Sequence, residues 1–155
     1  LDSAPAERGQ NDATLTDNER GQFECRWVHL AAEPHTRCVF TRGMTQPIEV
    51  PVAHGEGRFV TAHPALLERL AERGQVALRY VAPGNGQPRY PDNPNGSQGN
   101  IAGVCNQSGT VLGLMPHPED AIFPHQHPRW TREPWRREGD GLAIFRNAVA
   151  YAASI

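Results

Sequence analysis

The run Met115-Pro-His-Pro-Glu119 closes an apolar stretch and carries a histidine and a carboxylate two positions apart. Pro118 holds the residue before it extended, and in extended chain residues two apart project to the same side. His117 and Glu119 can therefore share one pocket. A carboxylate bonded to one ring nitrogen sets the tautomer and supports an imidazolium, leaving the other nitrogen to take and return a proton. The same residues also suit a solvated histidine and glutamate in a proline-rich loop. A third use is metal binding: His125 and His127 fall on one side of an extended segment and, with His117 or Glu119, could present ligands to zinc. That spacing fits no standard zinc site, and Pro124 and Pro128 mark an exposed loop.

The elements that must position these residues are read from periodicity and from turn residues. Phe23 to Ala31 and Cys38 to Thr41 alternate aromatic or β-favouring residues with polar ones, which predicts short strands. Ile48 to Ala53 is more continuously apolar and predicts a more central strand, ending in the loop His54-Gly-Glu-Gly57. A further extended piece covers Arg58 to Thr61. His63 to Gly74 has proline in its first turn and glycine just past its end, with Leu66, Leu67 and Leu70 as the buried stripe of a helix. Val76 to Val81 predicts another strand, and Ala82 to Asn100, dense in Pro, Gly and Asn, a long loop built of turns. Ile101 to Cys105 and Thr110 to Met115 flank Asn106-Gln-Ser-Gly109 as a hairpin. Gly141 to Ala152 predicts a helix facing the core through Leu142, Phe145, Val149 and Ala152, with Ile144 and Ala148 widening the stripe and Asp140 placed to cap it. Leu1 to Gly21 is polar and without period, and is expected to be a loop or mobile segment.

Composition narrows the class. The chain has 155 residues, enough for one core and no reason for two, so residues 22–155 are expected to belong to a single domain. Lys+Arg 15 against Asp+Glu 17 gives none of the basic surface that attracts nucleic acid or anionic membranes. No apolar run is long enough to span a bilayer and no signal-peptide pattern opens the chain, so the expectation is a soluble, cytoplasmic protein. Cys25, Cys38 and Cys105 are an odd number without a CxxC pair, which argues against a disulfide framework and a structural zinc site. No cofactor and no metal is expected. The first residue is Leu1 rather than Met, which raises the expectation of a processed or incomplete chain. Strands mixed with helices point to an α/β or α+β layered domain, and two helices are too few to cover both faces of a parallel sheet.

Six blocks bring a resemblance. Phe23-Glu-Cys-Arg-Trp-Val28, Pro51-Val-Ala-His-Gly-Glu-Gly-Arg58, Tyr90-Pro-Asp-Asn-Pro-Asn-Gly-Ser97, Asn100-Ile-Ala-Gly-Val104, Gly113-Leu-Met-Pro-His-Pro-Glu119 and Phe145-Arg-Asn-Ala-Val149 occur in this order. From about Gly21 to the C-terminus the chain resembles the glutaminase subunit of phosphoribosylformylglycinamidine synthase, the PurQ type of class I glutamine amidotransferase. The resemblance implies an α/β fold of the flavodoxin-like kind, an open and mostly parallel sheet flanked by helices, of which this chain would be the C-terminal part. It implies a triad of cysteine, histidine and glutamate in which His117 and Glu119 match the last two. It implies glutamine as substrate and ammonia as the product delivered to purine biosynthesis. Its implied partners are a large synthase subunit and a small accessory subunit. The loop at His54, Gly55 and Glu56 matches a segment beside the glutamine pocket, where main-chain contacts to substrate are expected. Tyr90 to Ser97 would border that pocket or the partner, or serve only as a structural loop.

The departures are as informative. The family's nucleophile sits in a Gly-x-Cys-x-Gly elbow well before the Phe-Glu-Cys-Arg-Trp block, and no such elbow occurs in these 155 residues. The missing N-terminal half is expected to carry the catalytic cysteine, and Cys25, Cys38 and Cys105 are expected to be structural thiols. Asp120 stands where the resemblance leads one to expect arginine.

Overall fold

The computed structural model describes residues 12–84 and 86–155. Its centre is a five-stranded sheet in the order β3-β2-β5-β6-β7, formed by β2 (Glu24–Ala32), β3 (Ile48–His54), β5 (Val76–Val81), β6 (Ile101–Cys105) and β7 (Leu112–Leu114). A separate ribbon pairs β1 (Ala13–Thr16) with β4 (Arg58–Thr61). The helices are α1 (Pro64–Glu72) and α2 (Leu142–Ala152).

β2 is long enough to serve two partners. Its first part pairs with β3 from Glu24↔His54 to Leu30↔Ile48, and its end pairs with β5 from His29↔Val81 to Ala32↔Leu78. The main core gathers Val28, Leu30, Val50, Val52, Leu78 and Tyr80 under Ile144 of α2 and Ala121. A second cluster forms where Leu66 and Leu70 of α1 meet Phe59, Val76 and Ile101. α1 ends as expected from its sequence. Gly74 takes φ +63, and a Cβ there would lie 2.6 Å from the His35 carbonyl oxygen, so only glycine fits the stop.

Several expectations are corrected. The pairings of the five-stranded sheet are all antiparallel, so the parallel character implied by the resemblance is not found among the described residues. β3 is an edge strand, not a central one. Later chain is laid along its free edge: the His117 amide donates to the Pro51 carbonyl at 2.8 Å, and the Glu49 amide to the Asp140 carboxylate at 2.9 Å. Pro51, with no amide to offer a ladder, is tolerated in such an edge. Cys38 to Thr41 is not a strand; Val39–Thr41 is a 3₁₀ turn fixed by a bond from the Val39 amide to Gly109. Ala13–Thr16, expected to be loop, is a strand because β4 offers it a ladder, while residues 1–11 of that expected loop lie outside the described residues. On α2, Asp140 makes no cap, since its carboxylate is engaged by the Glu49 amide and Arg136. The expected core stripe of α2 is largely open: Ile144 is buried, but Phe145 is 40% exposed and Val149 70% exposed.

Candidate active site

β7 runs out of the sheet through Met115 and Pro116 and delivers His117 to the edge of β3, where its amide is tied to Pro51. Pro118–Ala121 then forms a 3₁₀ turn closed by the Asp120 amide on the His117 carbonyl at 3.2 Å. The expectation of extended geometry is corrected here, because it is this turn that curls Glu119 back. His117 Nδ1 and Glu119 Oε1 lie 2.8 Å apart. An ionised carboxylate can only accept, so Nδ1 carries the hydrogen, and in the neutral ring Nε2 holds the lone pair. The turn is held from behind by α2, whose Gly141 lies so close to the Pro118 carbonyl that a Cβ would overlap it. A groove of about 410 Å³ opens beside the dyad, lined by Phe40, Leu114, Ile144, Phe145 and Ala148 as well as by His117 and Glu119. An exposed imidazole nitrogen with an oriented partner, set in an apolar groove, can move a proton to and from a bound group.

The second expected cluster is adjacent. The His54 ring lies 6.3 Å from the His117 ring, centroid to centroid, and burial pushes its pKa below the ordinary imidazole value. Asn18 binds the loop that follows: its side-chain amide donates to the His54 carbonyl at 2.8 Å and its oxygen accepts the Gly57 amide at 3.0 Å, while its own amide donates to the Gly55 carbonyl at 2.8 Å. Glu56 is exposed at the tip. The loop containing Tyr90 to Ser97 packs through buried Asn93, Asn95 and Ser97. Asn95 reaches the His54 ring, so this loop is both structural and a neighbour of the site.

The zinc alternative is overturned for His127. Its Nε2 bonds Glu49 at 2.9 Å and its Nδ1 accepts the Arg129 amide at 3.2 Å, leaving no free lone pair for a metal. His125 stacks on Phe123 instead, at 5.4 Å. Cys38 and Cys105 are buried together, and burial with the neighbouring Cys38 pushes the Cys105 thiol up to about 11, which removes it as a thiolate at neutral pH. Cys25 is exposed on β2 opposite Ala53.

One feature escaped the sequence reading. Glu49, buried in the apolar β3, accepts a two-pronged contact from Arg129 at 2.7 and 3.2 Å in addition to the bond from His127. Arg136 approaches it at 3.5 Å and also binds Glu133 and Asp140. Burial alone would raise the Glu49 carboxyl, but the bonds from Arg129 and His127 outweigh it and hold it below the ordinary carboxylate range. Arg129 and Arg136 together bring Glu133 down to about 2. A lone carboxylate inside an apolar strand, Ile48-Glu-Val50, was the available signal, since such a charge must be paired.

The sequence pattern of the family described as CobB/CobQ-like glutamine amidotransferase domain matches residues 2–152. The chain belongs to this family. It is 43% identical over 151 residues to the phosphoribosylformylglycinamidine synthase subunit PurQ of Dehalococcoides mccartyi, covering 97% of this chain and 57% of that protein. It is 47% identical over 117 residues to the subunit of the same name from Treponema denticola, covering 71% of this chain and 42% of the other. In structure it is similar to PurLQS from Thermotoga maritima, with a TM-score of 0.65 and 33% identity over 93% of this chain and 55% of that one. The chain spans about half the length of the curated relatives it matches. These likenesses bear out the α/β amidotransferase fold and the PurQ resemblance. Among the described residues no helix is long and apolar enough to cross a membrane.

Proposed function

We propose that the protein to which this chain belongs is the glutaminase of a phosphoribosylformylglycinamidine synthase, with His117 as general base and Glu119 as the residue that orients it. The observation that carries the reading is the 2.8 Å bond between His117 Nδ1 and Glu119, in a groove lined by both residues. A cysteine thiol from a part of the protein beyond these residues, in a Gly-x-Cys-x-Gly elbow, gives its proton to His117. The thiolate attacks the side-chain amide carbon of glutamine, and the tetrahedral adduct collapses as His117 returns the proton to departing ammonia. Water, deprotonated by the same ring, then attacks the thioester and releases glutamate. Main-chain groups of His54, Gly55 and Glu56 contribute to the glutamine pocket in this reading. The ammonia passes to an ATP-dependent large subunit, assembled with a small accessory subunit, for formation of the amidine in purine biosynthesis. Residues 22–155 are in this reading one part of a single domain.

A second reading makes the isolated chain a docking module without chemistry. It is favoured for the 155 residues alone by the burial of Cys38 and Cys105. Glutamate release from glutamine, measured on the full-length protein and on these 155 residues, separates the two. Turnover by the former and none by the latter is the expected result, and absence of turnover by the full-length protein with its synthase partners would sink the glutaminase reading.

A further inference from the structure

The polar groups around His54 determine which of its nitrogens carries the proton. Asn18 Nδ2 donates to the Gln22 and His54 carbonyls, so its Oδ1 is the acceptor that receives the Gly57 amide and, at 2.8 Å, Asn95 Nδ2. Asn95 is thereby fixed in orientation, and its Oδ1 accepts the Tyr80 hydroxyl at 3.1 Å. The same Nδ2 meets His54 Nε2. An amide NH₂ can only donate, so His54 Nε2 must hold a lone pair and Nδ1 must carry the hydrogen. His54 is 9% exposed, and its Nδ1 is the one buried side-chain polar atom among the described residues without a hydrogen-bond partner. A fold that leaves a donor unmet while supplying three linked side chains to the other nitrogen is controlling the ring's protonation state. Gly57 permits it, because a Cβ there would overlap both His54 and Asn95.

We infer that Asn95 and His54 are positioning residues of the His117 base: the amide holds His54 as an uncharged imidazole against His117, which then carries the reaction's proton without a charged neighbour. The inference rests on the reading of His117 as a general base. The groups that face the His54 ring are few. β2 brings Glu24, opposite in register and paired with Arg26 at 2.7 Å; the turn across the β3 edge brings His117; the loop at 92–97 and the segment at Asn18 bring amides; Tyr80 of β5 reaches the ring only through Asn95. Glu56, on the ring's own loop, is exposed. At 6.3 Å and an effective dielectric constant of about 20, a second positive charge at His54 would weaken the proton affinity of His117 about a hundredfold. A neutral His54 imposes no such penalty.

The test is ¹⁵N NMR of the histidine rings in the full-length protein, followed from about pH 5.5 to 8, with glutamate release measured on the same samples. In the wild type His54 should show a pyrrole-type Nδ1, a pyridine-type Nε2 and no proton uptake over that range. Asn95→Asp presents acceptors only, so His54 should gain a proton at Nε2. With partial cancellation by the new carboxylate, kcat should fall about tenfold near pH 7 while KM stays within about twofold. The loss should shrink as pH rises and His54 gives up that proton, a recovery that damage to the fold would not show. A wild-type His54 protonated at Nε2, or titrating like an ordinary imidazole, overturns the inference, and that measurement decides even if the variant does not fold. So does Asn95→Asp with a charged His54 and unchanged kcat. Glutamate release with the wrong tautomer overturns this inference alone, whereas the expected tautomer without any glutamate release refutes the glutaminase reading on which it rests.

Discussion

Replacing Glu49 by alanine is expected to destabilise the protein far more than removal of a surface charge. The carboxylate accepts from His127 and Arg129 and has Arg136 at 3.5 Å. These partners are not equally exposed to the loss. The Arg129 side chain is 45% exposed and keeps Glu133, so water and that carboxylate take over most of its contacts. Arg136 is 18% exposed but keeps Glu133 and Asp140. His127 is 4% exposed and loses its Nε2 acceptor outright. Removing one member of a buried ion pair costs about 3–5 kcal/mol, and the surviving partners of the two arginines place Glu49→Ala at the lower end, about 3 kcal/mol. For a domain of this size that is a fall in Tm of about 6–12 °C. Glu49→Gln keeps an acceptor of the same shape and should cost about 1–2 kcal/mol. The sign of the pH dependence follows from the depressed carboxyl. Its contribution is fully present above the ordinary glutamate value of about 4.3 and is lost as pH falls through the lower folded value. Denaturant melts of wild type, Glu49→Ala and Glu49→Gln in the full-length protein, at neutral and acid pH, measure all of this. A loss below about 1 kcal/mol for Glu49→Ala, or a wild-type advantage that grows on acidification, would refute the reasoning.

Gly57→Ala should push apart the buried His54 and Asn95 side chains and destabilise by about 1–3 kcal/mol, read as a shift in denaturant midpoint without a change in m-value. Val149→Asp should change the stability of the isolated chain by less than about 0.5 kcal/mol, since Val149 is exposed there. In the full-length protein the same variant should lower the melting temperature measurably if the open face of α2 is covered, and equal melts in both settings would show that it is not. Under the proposed mechanism Glu119→Gln should lower glutaminase kcat less than His117→Ala does, because it would remove the orienting group and leave the base; the reverse order would exchange their roles.

Much of the architecture was legible because it is written in local period. The alternation of β2, the proline and glycine that bound α1, and the Asn106 to Gly109 hairpin each state their element within a dozen residues. What was not legible depends on neighbours far along the chain. Ile48 to Ala53 reads as central because it is continuously apolar, yet it is an edge strand whose free side is covered by residues from His117 to Asp140, about seventy to ninety positions away. α2 is amphipathic in sequence, but periodicity says only that a stripe exists and not what covers it, so Phe145 and Val149 were assigned to a core they do not enter. In the candidate site the spacing of His117 and Glu119 was enough to pair them, although a turn and not an extended strand brings them together. The tie between Asn18, Asn95 and His54 spans 77 residues and leaves no local pattern.

Whether His117 serves the glutaminase reaction and nothing else is tested by amidine synthesis in the assembled complex carrying His117→Ala, run in parallel with glutamine and with free ammonia. The expected result is a glutamine-dependent rate lower by about 10²–10⁴-fold, with the ammonia-dependent rate of the partner subunit retained. Equal loss with both nitrogen sources would contradict the claim and place His117 in the structure or the interface.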